Sequence, residues 1–468
     1  MRGRLFAVRI QTSLLDGEVM AISLKRKAYQ RLLDWKERSQ GKTAILVEGA
    51  RRVGKTYLIR DFVSREYKTA VYLDFSRPNP ARDALFTESA ADLDEFFMRL
   101  SLLTKTRLYP RESCIVLDEI QLFPLARQMV KHFVADGRFD FVESGSLISI
   151  RRNTQGILIP SEEEKLALTP LDFEEFLWGL NREDLFDYVR SCFEKEKPLG
   201  DALHREVMKL FREYMFVGGM PQAVERYVES KDLLAVKEVH KNILTLYRDD
   251  IGKYAEGYDL KVRGIFDALP GELSRHEKRF RLASLSKSAR MRDYEEAFLW
   301  LSDSKVVNLC FNATEPTVGL QMNTDRTYLK CYMADTGLLT SMAVDDGTVT
   351  EEAVAHALLA DKAGLNEGMF FKNVTAQLLV AAGRKLFFFS QAKEDASRRS
   401  LEIDFLIRRE RKISPLEVKS GDYKRHTSLD LFSEKYRRQL GTKFVVYTKD
   451  WKKEGDVVYL PIYMTGLI

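Results

Sequence analysis

Cysteine is scarce: Cys114, Cys192, Cys310 and Cys331 are the only four in 468 residues, far apart and without Cys-x-x-Cys spacing. That argues against a disulfide framework and a cysteine-built zinc site, and it fits a reducing compartment, so a cytoplasmic location is expected. No apolar run reaches the ~18 residues a membrane-spanning helix needs, so no membrane partner is expected. The opening Met1-Arg2-Gly3-Arg4-Leu5-Phe6 lacks the sustained apolar stretch of a signal peptide. Met20 opens the first well-patterned helix, so organised structure is expected from about there. Charge excess is small as well, 74 basic against 69 acidic residues for a net +5, which alone points to no polyanionic partner. What is plentiful is core material: 45% hydrophobic and 31% charged residues, enough for about three domains at ~150 residues each.

Gly49-Ala50-Arg51-Arg52-Val53-Gly54-Lys55-Thr56 fits the pattern G-x-x-x-x-G-K-[ST]. It lies between an apolar strand, Thr43 to Val47, and a helix from about Lys55 through Tyr57, Leu58, Ile59 and Phe62. In that context successive loop N–H groups converge on a phosphate at the helix N-terminus, Lys55 reaches the β/γ-phosphates and Thr56 ligates Mg²⁺. The bland alternative, a solvated glycine turn, does not require the strand and helix on either side. ATP and Mg²⁺ are therefore the expected cofactors.

A second pattern agrees. Cys114-Ile115-Val116-Leu117-Asp118-Glu119 is a continuous apolar run, as a strand buried on both faces requires, and it ends in two carboxylates. Parallel sheets place ligands at the carboxyl ends of their strands, so Asp118 is expected beside Thr56 in the Mg²⁺ shell and Glu119 as the residue that orients the attacking water. After a helix over 126–135 and a strand over 139–142 comes Glu143-Ser144-Gly145-Ser146, where Ser144 is the candidate γ-phosphate sensor. The alternation of strands and helices to about residue 180 predicts a doubly wound α/β parallel sheet. From about 181 to 270 the pattern is helical, including amphipathic runs at 186–193 and 203–215, and reads as a lid or connector.

Residues 282–311 read as a small helical unit, a helix from Arg290 to Leu301 and a strand from Val306 to Phe311: a winged helix. In DNA-binding versions the second helix enters the major groove. The stretch 275–292 carries Lys/Arg at 275, 278, 279, 281, 287, 290 and 292 against the single acid Glu277. Arg290 and Arg292 are the candidate DNA contacts, with a solvated helix face as the alternative. A second basic stretch, 384–425, has twelve Lys/Arg against seven acids. Farther on, Asp404, Glu417 and Lys419 follow the PD-(D/E)xK spacing Asp-x(12)-Glu-x-Lys on two consecutive strands joined by the basic turn 408–412. Two carboxylates from neighbouring strand ends can hold Mg²⁺, and Lys419, one pleat repeat after Glu417, faces the same way. A hairpin with an apolar core face and a charged outer face is the competing reading.

Together with the P-loop and Leu117-Asp118-Glu119-Ile120-Gln121, four further segments resemble one family. They are Ser144-Gly145-Ser146, Pro-Leu-Asp-Phe-Glu-Glu-Phe-Leu at 170–177, Val-Gly-Gly-Met-Pro at 217–221 and Met-Ala-Asp-Thr-Gly-Leu-Leu at 333–339. The family is that of prokaryotic AAA+-like ATPases whose C-terminal half is a domain of unknown function. The resemblance covers nearly the whole chain from about Met20. It implies an AAA+-like ATPase core at 20–180, a helical lid at 181–270, a winged-helix-like domain at 271–345 and a PD-(D/E)xK nuclease-like α/β domain at 346–468. Two departures stand out. Where the family has a Gly-Arg pair this chain has Ser161-Glu162-Glu163-Glu164-Lys165, and where it has Gly-x-x-x-Glu-Asn this chain has Gly368-Met369-Phe370-Phe371-Lys372-Asn373. A cation at 372 repels Mg²⁺ from Asp404 and Glu417, although Glu367 or Gln377 could in part supply the missing acceptor.

The expected protein is an ATP-binding, Mg²⁺-dependent ATPase, a nucleotide-driven switch acting on a nucleic-acid or protein partner. AAA+-like enzymes often complete the site with an arginine from a neighbouring copy, so a homo-oligomer is expected, with Arg151 or Arg152 as the candidate finger. Two alternatives stay open: an ATP-gated DNA nuclease working through Asp404, Glu417 and Lys419, and a non-enzymatic scaffold that retains ATP for stability.

Overall fold

The computed structural model describes residues 24–146, 161–275, 279–345, 367–391, 401–421 and 423–468. The chain divides into two compact units, Met1–Leu168 and Thr169–Ile468.

The first unit runs α1 (Lys27–Ser39), β1 (Ala44–Gly49), α2 (Lys55–Glu66), β2 (Thr69–Asp74), α3 (Pro80–Glu88), α4 (Leu93–Thr104), β3 (Ser113–Asp118), α5 (Pro124–Asp136), β4 (Asp140–Gly145) and β5 (Glu163–Leu168). Its five strands form one sheet in the order β2-β3-β4-β1-β5, every pairing parallel. β1, β3 and β4 are buried along their whole length, which is why each reads as an apolar run rather than an alternating one. The helices that cover the sheet start where the sequence supplies caps. Asn79 Oδ1 accepts from Arg82 N at 3.0 Å and Pro80 follows at the first helical position, and Asp92 accepts from the N–H groups of Asp94 and Glu95. The core on one face is phenylalanine-rich: Phe133 stacks on Phe141 at 4.8 Å, and Phe86 and Phe97 meet Phe133 from α3 and α4. Because β4 lies between β1 and β3, the loops leaving these three strands open at the same carboxyl edge.

The acidic segment at 161–165 is accounted for within this unit. Glu163 takes a two-oxygen contact from the buried guanidinium of Arg127, at 3.1 Å to each oxygen, and Glu164 accepts from Thr43 Oγ1 at 2.7 Å and pairs with Arg38.

The second unit begins with helices α6 (Phe173–Gly179), α7 (Glu183–Glu194), α8 (Asp201–Val217), α9 (Pro221–Ser230), α10 (Leu233–Tyr254) and α11 (Asp259–Ser274). It continues through α12 (Glu295–Asp303), β6 (Val307–Ala313), β7 (Thr324–Met333), α13 (Thr336–Asp345), α14 (Glu367–Ala381), β8 (Phe387–Gln391), β9 (Leu401–Arg409), β10 (Lys412–Val418), α15 (Thr427–Tyr436), β11 (Lys443–Tyr447), β12 (Lys452–Glu454) and β13 (Val457–Pro461). One mixed sheet takes the strands in the order β12-β13-β11-β10-β9-β8-β6-β7.

This sheet differs from the expected layout in one respect. The hairpin read as the wing of a separate domain at 271–345 does form, as antiparallel β6 and β7, but β6 also pairs in parallel with β8, and Asn312 Oδ1 accepts from Ser390 N at 2.8 Å. The boundary expected at 345/346 therefore passes through a continuous sheet. The hairpin signal is local, whereas its other partner lies some 75 residues on, beyond the reach of a pattern argument.

Three of the segments that carry the family resemblance meet inside this unit. Leu171 N donates to Gly219 O at 2.7 Å and Tyr214 Oη to Leu171 O at 2.8 Å. The buried carboxylate of Asp335 accepts from Gly219 N at 2.5 Å, from Leu338 N at 3.0 Å and from Gln377 Nε2 at 3.4 Å. A Cβ at Gly219 would stand 2.0 Å from Leu171 O, so only glycine lets the two backbones approach this closely. Burial pushes the Asp335 carboxyl up to about 6 even against these donors. Asn373 of α14 completes the node, accepting from Met333 N at 2.8 Å and donating to Met333 O at 3.1 Å.

Candidate functional site

β1 delivers the phosphate-binding loop and α2 receives it, the two being joined through Gly54 at φ 94°. That left-handed value and the 2.5 Å that would separate a Cβ on Gly49 from Leu168 O explain both glycines of the pattern. Arg52, at φ 67°, makes the remaining left-handed turn of the loop, and Arg26 fastens it from outside by donating to Val53 O at 3.0 Å. Lys55 is buried, with Nζ donating to Gly49 O at 3.1 Å and Ala50 O at 3.0 Å. Arg51 at the loop tip is exposed.

Asp118, at the end of β3, is the point where the other expected residues gather. Its Oδ2 accepts from Thr56 Oγ1 at 3.3 Å and from Tyr72 Oη at 2.6 Å, and its Oδ1 accepts from Ser144 Oγ. Glu119 follows at φ 53°, ψ 42°, a region seldom used by a non-glycine residue outside functional turns. It turns its carboxylate out of the strand direction, where Oε2 accepts from Gln121 Nε2 at 2.6 Å and Ser146 Oγ at 3.3 Å. The structure thus brings Thr56, Asp118 and Ser144 together, with Glu119 next in the chain and its carboxylate bonded to Gln121 and Ser146. Ser144 lies against Asp118. Arg151 and Arg152 fall outside the described residues.

An oxygen-only donor pair of one hydroxyl and one carboxylate suits Mg²⁺, which keeps several waters and takes few protein ligands. The glycine-lined, left-handed loop at a helix N-terminus suits a polyphosphate.

In the second unit Asp404 and Glu417 stand side by side across the antiparallel β9–β10 pair, where Leu416 opposes Phe405. Val418 N donates to Asp404 Oδ2 at 3.0 Å. Lys372 of α14 places Nζ 2.6 Å from Asp404 Oδ1, and Lys419 Nζ lies 3.0 Å from Glu417 Oε2. Lys330 pairs with Glu402 at 2.9 Å and comes within 4.0 Å of Asp404 Oδ1. Burial alone would raise the Asp404 carboxyl, but the ammonium groups of Lys372 and Lys330 and the bonds from Lys372 and Val418 N bring it down to about 2. Glu417 goes the other way, pushed up by burial and by Asp404 against the pull of Lys419. Gln377 does not supply the missing acceptor: its side chain is committed to Thr336, Tyr214 and Asp335. Among the described residues no group of three or more His, Cys, Asp and Glu is placed to hold a metal.

Arg290 and Arg292 are exposed, on the short turn ahead of α12. α12 itself exposes Glu295, Glu296 and Leu299 and carries no basic residue, so the helix expected to read a groove presents acid to solvent.

Residues 41–177 match the family profile of an AAA domain. The chain carries a P-loop AAA domain. Beyond it, residues 208–348 match a domain of unknown function, DUF8612, and residues 346–464 another, DUF4143. No curated protein matches the chain. Solved structures similar to it include Orc1 from Aeropyrum pernix in complex with DNA, at 14% identity over 70% of this chain and 94% of that one, TM-score 0.27. Cdc6p from Pyrobaculum aerophilum follows at 14% identity, 72% and 97% coverage, TM-score 0.28. The Thermotoga maritima RuvB Holliday junction branch migration motor has 15% identity, 61% and 89% coverage, TM-score 0.28. At these scores none of the three bears on function. No helix among the described residues is long and apolar enough to cross a membrane.

Sequence reasoning missed two residues of the AAA domain's site. Tyr72 reaches Asp118 because β2 lies beside β3, with Tyr72 opposite Val116, and Arg60 lies over its ring at 4.9 Å. Nothing local to position 72 marks it. Gln121 was within reach, as it belongs to the Leu-Asp-Glu-Ile-Gln segment and lies two residues from the glutamate it holds.

Proposed function

We propose that the chain is a Mg²⁺-dependent ATP hydrolase. What supports this most is the convergence of Thr56, Tyr72 and Ser144 on the single carboxylate of Asp118, with the Glu119 carboxylate held by Gln121 and Ser146. In this reading the loop N–H groups of 49–56 bind the phosphates, and Lys55 exchanges the carbonyls of Gly49 and Ala50 for phosphate oxygens. Thr56 and Asp118 would hold the metal, which would supply charge neutralisation to the phosphates. Ser144 and Tyr72 fix the Asp118 carboxylate. Glu119 orients the attacking water, and Gln121 and Ser146 set its position. An arginine from a second copy completes the site, with Arg151 and Arg152 the positions to substitute first.

Lys55→Ala should lose ATP binding, whereas Glu119→Gln should keep it and hydrolyse at least ~100-fold more slowly, the scale for losing a positioned base. Equilibrium binding and single-turnover hydrolysis measure the two effects separately. Unchanged ATP affinity in folded Lys55→Ala protein would remove the assignment.

The ion pair of Lys372 with Asp404 favours a nuclease-like domain that does not cleave. The switch reading, in which nucleotide state acts on a nucleic-acid or protein partner, is carried by the ATPase proposal and by the exposed Arg290 and Arg292.

A further inference from the structure

A pocket in the second unit, distinct from the P-loop, is lined by Arg279, Phe280, Lys330, Tyr332, Met369 and Lys372. Tyr332 is 1% exposed, and its hydroxyl is buried with no hydrogen-bond partner among the described residues. A buried hydroxyl of this kind calls for an explanation, and a bound water, ion or ligand that accepts from it is one. The cations around it are held but not used up. Lys330 is placed by Glu402 at 2.9 Å and by the Phe388 ring at 4.7 Å, and Lys372 by Asp404 at 2.6 Å. Each ammonium has three donors, so donors remain on both. Arg279 lies over the Tyr328 ring at 5.0 Å and makes no ion pair with a described residue. Among the described residues Glu272 is the carboxylate in the lining, and it already accepts from Arg275 Nη1 and Arg281 N, both at 2.7 Å. Burial raises the Tyr332 phenol, and Asp404 and Glu402, which pair with the two lysines, lie close enough to raise it further. Arg279, Lys330, Lys372 and Tyr332 therefore line one pocket, and among the described residues the Tyr332 hydroxyl has no partner.

We propose that this pocket binds a phosphoryl group, whose oxygens accept from Tyr332 Oη, Lys372, Lys330 and the Arg279 fork. The donors come from three separate segments, the chain after α11, strand β7 and helix α14, and a tetrahedral oxyanion can meet donors converging from different sides where a planar carboxylate meets fewer. The nuclease-like half then holds phosphate with ammonium groups where a nuclease would use metal. The phosphate can belong to the end of a nucleic-acid strand or be free in solution. This inference does not depend on the ATPase reading.

The test uses full-length Lys55→Ala protein, so that the P-loop does not contribute, in excess chelator. It is titrated calorimetrically with inorganic phosphate and with one short oligonucleotide bearing either a 5′-phosphate or a 5′-hydroxyl. Saturable binding of inorganic phosphate identifies the free anion as sufficient, and binding of only the 5′-phosphorylated strand identifies a strand end; both support the site. Tyr332→Phe and Arg279→Gln should each weaken that binding about tenfold, the scale of a hydrogen bond to a charged group. Tyr332→Phe should melt no lower than its parent, because the hydroxyl has no partner among the described residues. Arg279→Gln, at an exposed position, gives an independent reading. No binding of any probe at millimolar concentration, or binding that neither substitution alters, overturns the proposal.

Discussion

At position 372 an ammonium stands 2.6 Å from a carboxylate that a nuclease of this spacing would give to a metal. The pairing is favourable for both partners: Asp404 is held at about 2, and Lys372, which burial pulls down, is raised on balance by Asp404 together with Glu402 and Glu417. The folded value of Asp404 lies below its ordinary 3.8, so its contribution to stability is complete above about pH 4 and is lost as pH falls toward 2. Lys372→Glu should replace this ion pair with an oxygen-rich cluster of residues 372, 404 and 417 and create a divalent-ion site. Calorimetric titration with Mn²⁺ of both proteins checks it. Tight metal binding and DNA cleavage by the unsubstituted chain, abolished by Asp404→Ala, would promote the nuclease instead.

Helices in the second unit are pinned end to end by buried polar groups, and His240 is the one with the sharpest consequence. Midway along α10, it is 1% exposed and places Nε2 3.0 Å from Val217 O at the end of α8. Burial pushes its pKa down to about 4 from 6.5, against the raising effect of the bond to Val217. The folded value is the lower one, so the neutral ring's contribution is complete above about pH 6.5 and is lost as pH falls toward 4. Between pH 6.5 and 5 that is about 2 kcal/mol, at ~1.4 kcal/mol per pH unit. Urea unfolding at the two pH values should show the natural protein losing about this much more than His240→Leu. Equal losses would mean that the ring is not the titrating group. α10 itself was legible as part of a helical stretch, but its buried histidine was not, because a single His carries no sign of whether a carbonyl awaits it.

Across the whole molecule the charge is nearly balanced, so any contact with a polyanion has to come from local concentration. Arg290 and Arg292 are exposed and close in sequence, although Arg292 lies 3.5 Å from Asp293 and α12 next to them is acidic. If duplex DNA is the partner, binding at low salt should fall steeply with added salt, and replacing both arginines should flatten the slope by up to about 2 units, one per lost phosphate contact. Fluorescence anisotropy over a salt series measures it, and an unaltered slope assigns the contact to another surface.

The phosphate loop, the strand that ends in Asp118 and Glu119, and the alternating pattern of the first unit were set by the sequence alone, because each depends on neighbours within one loop or one strand. The spacing of Asp404, Glu417 and Lys419 was also readable, as was the oddity of Lys372. Tertiary structure alone decided what long-range pairing decides. It put Tyr72 on Asp118 through strand order, drew β6 and β7 into the C-terminal sheet, and turned the Val-Gly-Gly-Met-Pro and Met-Ala-Asp-Thr-Gly segments into one buried node. It also left the Tyr332 hydroxyl without a partner among the described residues. Periodicity and motif spacing encode a residue's own backbone state and face, but which distant backbone or side chain meets that face is fixed only when the chain closes on itself.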